Sequence, residues 1–249
     1  MRLTAEVYLV GGSPSYGFGL SGEMDSHVYL IDGGDELALV DCGMARNDSI
    51  DRIRDNIRAD GLDPARLRRV FLTHHHVDHA GGLAAWQERY GVSGAAGAEC
   101  APAVETGDPH ATGFALAQAA GIYPPDYELR PATVHDRLVG GEVRRVGELT
   151  VEVIATPGHC AGHRAYRVRG RTATHLFTGD CVFTGGRISL LNTPDSDLAA
   201  YRASVLALAE LEFDALLPGH GAVCLRGGHR HVAAAADAFR TLSLPENYR

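Results

Sequence analysis

An α/β fold made of two strand-and-helix halves is what this sequence predicts, on three observations. Short apolar runs bounded by glycine alternate with stretches whose apolar residues recur at helical spacing. Strands followed by one or two helices occur before an irregular segment at 97–130 and again after it. No linker rich in proline, serine or charge divides the halves, so residues 1–249 read as one domain. Each half would bury one sheet face against the other and cover its outside with helices.

The elements follow in order. EVYLV (6–10), HVYLID (27–32) and ELALVDCG (36–43) are alternating or β-branched and predict strands. Between the first two, the glycine-rich loop 11–24 carries Tyr16 and Phe18 and is a candidate flap over a cleft. Ile50, Ile53 and Ile57 recur at helical spacing, so a helix is expected over 49–59, capped by Asp48 and stopped by Gly61. RVFLT (69–73) predicts a strand and GGLAAWQERYG (81–91) a helix. Residues 97–130 mix alanine-rich helical pieces with GDPH and GIYPPDY and read as an insertion. Strand signals return at 149–156, 163–168 and 173–179. A loop, a helix over 197–211, the strand DALLP (214–218) and a helix around 228–243 complete the chain.

Composition excludes some function classes. Hydrophobic residues make up 45% and charged residues 22%, as in ordinary globular proteins. The net charge of −8 leaves no basic surplus to neutralise phosphates, which argues against nucleic acid or anionic membrane as a partner. No apolar run is long enough to span a bilayer. Five cysteines are scattered without a CxxC pair, and the start does not resemble a signal peptide. The expected setting is cytoplasmic with reduced thiols, and a homodimer is compatible with the sequence.

The chemistry concentrates in THHHVDHAGG (73–82), where ten residues hold four histidines and one aspartate. At a strand end, alternate side chains point the same way, so His74 and His76 can face one point. Asp78 and His79, on the turn beyond, can face a neighbouring point. Similar strand ends offer His159 in TPGHCAGH, Asp180 in FTGDC and His220 in LLPGHG. Several buried imidazoles and carboxylates together need a compensating cation. A set without cysteine reads as an open, catalytic metal site rather than a closed structural one. His27, His110, His135, His175, His229 and His231, taken singly, read as ordinary surface or core residues. Cys160 and Cys181 adjoin candidate ligands but should point away, as packing residues.

These four segments resemble those of the metallo-β-lactamase fold superfamily, in its order, and the resemblance covers nearly the whole chain outside 97–130. It implies a four-layer αββα sandwich with the site along one edge of the sheets. Carried over, His74, His76 and His159 would hold one metal, Asp78, His79 and His220 a second, and Asp180 would bridge them. Zinc is the first choice, with iron or manganese as alternatives for this ligand chemistry. His163 matches the second histidine of the PGHxxGH motif and is expected to support the site or touch substrate. The resemblance is nearest to glyoxalase II and lactonase members, which carry the bridging aspartate, whereas true β-lactamases generally lack it. Only residues 221–249 follow His220, so the helical domain of glyoxalase II is not expected.

The expected activity is hydrolysis of a small ester, thioester or lactone by a metal-bound hydroxide. Lowering the pKa of bound water from about 15.7 to about 7 outweighs the roughly 10²- to 10⁴-fold that general-base help supplies. Asp78, a ligand beside that hydroxide, would orient it and shuttle a proton. A net positive site would favour substrates with a carboxylate or phosphate nearby. Tyr16, Tyr123, Tyr127 and Arg187 are candidate pocket residues, from loops expected near the site. The alternative is a mononuclear iron dioxygenase acting on persulfides, which shares much of the ligand set.

Overall fold

The computed structural model describes residues 1–15 and 17–248, so the Tyr16 expectation lies outside the described residues. The first sheet holds β1 (Val7–Gly11), β2 (Val28–Asp32), β3 (Leu37–Val40), β4 (Leu67–Phe71), β5 (Ser93–Gly97) and β6 (Val134–Leu138), in that spatial order. Its pairings are antiparallel up to β3 and parallel from β3 to β6. The second holds β7 (Val143–Val146), β8 (Leu149–Ala155), β9 (Arg164–Arg169), β10 (Thr174–Gly179) and β11 (Ala215–Pro218), in the reverse spatial order. There only the β10–β11 pair is parallel.

Strand alternation sorts the core into three layers. Val7 and Leu9 of β1 join Tyr29, Phe71, Val151, Tyr166 and Phe177 between the sheets. Tyr8 and Val10, pointing the other way, pack under α1 (Ser49–Ala59) and Trp86. The outer face of the second sheet is covered by α6 (Leu198–Ala209) and α7 (His229–Arg240), through Val205, Leu208, Val232 and Phe239 on Leu176 and Leu216. The result is an αββα sandwich, as expected. The remaining helices are short: α2 (Val77–Ala80), α3 (Leu83–Tyr90), α4 (Ala101–Thr106) and α5 (Phe114–Ala119).

Most elements fall within two or three residues of their expected bounds, and α1 spans the predicted 49–59. Asp48 stands at its N-cap, but its side chain makes no capping hydrogen bond. Three strands, β5 to β7, carried no expectation. β5 reads SGAAG, which has no strand propensity. Its small residues are required by crowding: a Cβ on Gly97 would lie 2.0 Å from the Gly162 carbonyl oxygen. Between β5 and β6, residues 98–133 carry α4, α5 and irregular chain, where the insertion was expected.

A candidate metal centre at the strand ends

The site residues leave the C-terminal ends of β4, β8, β10 and β11, where the two sheets meet along one edge. His74 and His76 follow β4, and the single turn of α2 presents Asp78 and His79. His159 lies in the β8–β9 connection, Asp180 just after β10 and His220 just after β11. Gly219 belongs to the same wall: a Cβ there would lie 2.5 Å from Asp180 Oδ1 and 2.6 Å from the His79 ring.

Two groups of donor atoms result. His76 Nδ1 lies 2.9 Å from His74 Nε2 and 3.0 Å from His159 Nε2. His220 Nε2 lies 3.3 Å from His79 Nε2 and 3.1 Å from Asp78 Oδ2. The Asp180 carboxylate spans them: Oδ1 is 3.3 Å from His79 Nε2 and 3.5 Å from His220 Nε2, while Oδ2 is 3.8 Å from His159 Nε2. Tetrahedral ligands about 2.0–2.1 Å from a zinc ion stand roughly 3.3 Å from one another, so these separations suit a cation at each group.

Hydrogen bonds behind the imidazoles fix which nitrogen faces inward. His79 Nδ1 donates to Asp41 Oδ2 at 2.8 Å. His74 Nδ1 donates to Thr73 Oγ1 at 3.0 Å, and that hydroxyl donates to the same Asp41 oxygen at 2.8 Å. His159 Nδ1 donates to the Ser189 carbonyl at 2.6 Å. The Nε2 lone pairs of all three rings therefore turn toward the donor groups. Tyr201 of α6 joins the supporting loops, donating to the carbonyls of Asp180 and Cys181 and accepting from Ser189 N–H. Asp41, Thr73, Ser189 and Tyr201 were not foreseen, because no spacing pattern marks a supporting residue.

Electrostatics show why the cluster suits cations. Burial, then the neighbouring imidazoles, push His74 and His76 well below the usual histidine range, and burial lowers His159. Burial opposes the charged form of His79, but Asp78, Asp180 and Asp41 outweigh it and raise its pKa well above the usual value. Burial likewise opposes ionised Asp180, yet His220 and His79 hold it well below the carboxylate range. Asp180 Oδ1 is buried without a hydrogen bond. Without a cation, then, converging lone pairs and carboxylates are balanced largely by the His79 proton, and the donor set fits divalent metal.

The donors open into a cleft of about 440 Å³. Residues 98–133 supply one wall, with Thr112, Ala117, Ile122 and Tyr123; Met24, Val77, Leu191 and Tyr248 add apolar surface. Tyr123 donates to Asp78 Oδ1 at 2.7 Å, which sets its hydroxyl beside a candidate ligand. Two other expectations are corrected, and of the two roles open to His163 only support remains. Tyr127 does not reach the cleft; packed on Phe114, it donates to the Met44 carbonyl at 2.7 Å. Arg187 stacks over the outside of the Tyr248 ring, at 4.8 Å, instead of lining the cleft. His163 is fully buried and cannot touch substrate; it accepts from the Asp180 N–H and bonds Thr156 Oγ1.

Fold and donor set together define an αββα chain of the β-lactamase-like kind with a candidate metal site at its sheet edge. The family model of the metallo-beta-lactamase superfamily matches residues 21–220, and the chain belongs to that superfamily. The chain is 29% identical to an atrochrysone carboxyl ACP thioesterase of Aspergillus fumigatus, over 87% of this chain and 56% of that protein. It is 35% identical to a hydroxyacylglutathione hydrolase of Thiobacillus denitrificans, over 71% of this chain and 52% of that one. It thus spans about half the length of the curated relatives it matches. Among solved structures, a Cronobacter sakazakii metallo-beta-lactamase with a HARLDQ motif superposes with a TM-score of 0.73 at 22% identity, covering 97% of this chain and 96% of that one. The subclass B3 enzyme BJP-1 of Bradyrhizobium japonicum gives 0.65 at 23%, covering 87% of each. At such identities the likeness is one of fold.

Proposed function

We propose that the chain is a binuclear metal-dependent hydrolase of an ester, thioester or lactone whose acyl part is largely apolar. One observation carries this: the Asp180 carboxylate spans two three-residue donor groups at the foot of an apolar-walled cleft. His74, His76 and His159 would hold one cation, Asp78, His79 and His220 the other, and Asp180 both. Two divalent cations, zinc first, acidify water and polarise a carbonyl when bound. Asp78 gives Oδ2 to the donor group and keeps Oδ1 on the Tyr123 hydroxyl, so its free lone pairs can orient a nucleophilic water and take its proton. The Tyr123 hydroxyl, at the cleft wall, would hold the Asp78 carboxylate in place through that hydrogen bond. Val77, Ala117, Ile122 and Leu191 would enclose the acyl chain and exclude water. The names of the thioesterase and hydroxyacylglutathione hydrolase relatives support the thioester choice.

The test is metal analysis of the purified protein followed by a screen of acyl thioesters, aryl esters and lactones. The expected result is at least two metals per chain and turnover that rises with acyl apolarity. Oxygen uptake on a persulfide, with a single iron and no hydrolysis, would overturn the proposal in favour of the dioxygenase.

A further inference from the structure

On the far side of the THHHVDH loop lies a second cluster. His75, between two candidate ligands, turns its ring away from them. Its Nδ1 lies 3.1 Å from Cys100 Sγ, and Cys160 Sγ completes a group whose donor atoms all lie within 4.8 Å of one another. Cys100 and Cys160 are fully buried and His75 is 5% exposed. The three come from separate segments: the β4–α2 loop, the turn entering α4, and the β8–β9 connection. The other ring nitrogen, His75 Nε2, faces Asp195 Oδ2 at 3.5 Å. A carboxylate behind a histidine, holding its second nitrogen toward soft donors, is the arrangement that orients metal-ligating imidazoles.

We propose that His75, Cys100 and Cys160 form a separate Cys₂His site for a thiophilic divalent cation, zinc foremost. Two thiolates and a neutral imidazole cancel the charge of such an ion, which offsets the cost of burying it. Thiolates also select zinc over magnesium, calcium or manganese, so this site would differ in preference from the oxygen- and nitrogen-only centre beside it. Binding releases the thiol protons to solvent and changes no oxidation state. Its structural consequence is a clasp. Cys160 follows His159, and His75 separates His74 from His76, so the ion would pin both loops that supply the first donor group. The packing role expected for Cys160 is replaced by ligation.

Cobalt substitution tests this without reference to activity. The neighbouring centre contains no sulfur, so a thiolate-to-cobalt charge-transfer band can come only from a cysteine site. Metal-free protein, prepared and refilled with Co²⁺ under reducing, anaerobic conditions, should show that band. Cys100→Ser should lose it and retain one metal fewer per chain than the wild type. If Cys100→Ser does not fold, the wild-type spectrum still decides the matter. No band in the reduced wild type, a band or metal count unchanged in Cys100→Ser, or a Cys100–Cys160 disulfide in anaerobically purified protein would each overturn the proposal. Because the readout is the sulfur signature, loss of the clasp is distinguishable from failure of the dinuclear reading.

Discussion

Asp41 holds two imidazoles of the donor cluster without joining it. One carboxylate oxygen accepts from His79 Nδ1 and from the Thr73 hydroxyl that supports His74, and the other accepts the Thr73 N–H at 2.7 Å. It stands in the left-handed region, at φ 59°, which asparagine also tolerates. Asp41→Asn should therefore keep the backbone while weakening metal retention about 10- to 100-fold, read by competition with a chelator. Unchanged retention would mean that the carboxylate does not set the ring orientations. Tyr123→Phe removes the donor to Asp78 Oδ1. A hydrogen bond to a charged group contributes about 1.5–3 kcal/mol, so kcat should fall at least about tenfold with metal content unchanged. The ligand-type residues were legible because imidazoles and carboxylates cluster at strand ends. Asp41 was not, because a lone aspartate at the end of a strand has no pattern to mark it.

At the scale of elements, legibility followed apolar periodicity. The strands and helices that bury β-branched or leucine-rich faces stand out in the sequence. β5 does not, because close backbone approach to the β8–β9 connection admits only small side chains. The segment 98–133 was visible as an irregular insertion, but not its work as a cleft wall. That wall depends on how α5 and the turn after it dock near Met44 and Val77, through Phe114 and Tyr123. Ile122, 54% exposed yet lining the cleft, is where this wall should meet an acyl chain. Replacing it by aspartate should raise KM for long-chain acyl substrates about tenfold, near the cost of losing a buried aliphatic side chain, with little effect on short ones. Equal effects on both would place the acyl chain elsewhere.

For the whole molecule, the donor cluster stabilises the fold only when its charge is matched. His74, His76, His159 and His163 are all buried with pKa values below the ordinary histidine range, chiefly through burial. Unfolding lets each take a proton near pH 6.5, so the unfolded state binds more protons once the pH falls below that value. Stability of the metal-free protein should then decline as pH drops from about 6.5 to 5, each such histidine adding up to roughly 1.4 kcal/mol per unit. His79 acts with the opposite sign. Its raised pKa gives stability that is complete below about 6.5 and lost at higher pH, as the folded-state proton leaves. The metal-free protein should thus be most stable near the histidine midpoint and weaker on both sides. Bound cations remove the high-pH loss, because they replace the His79 proton, whereas the low-pH loss persists, because the other rings are already neutral in the folded metal-free state. At a metal concentration about 1,000 times Kd the gain is about 4.1 kcal/mol per site, or roughly 8–16 °C in Tm for a chain of this size. Thermal melts with and without chelator across that pH range should show a shift of this order that grows as pH rises, because binding displaces the His79 proton. A chelator-insensitive Tm would mean that the six donors and the bridging carboxylate are balanced by protons alone, and the metal reading would fall with it.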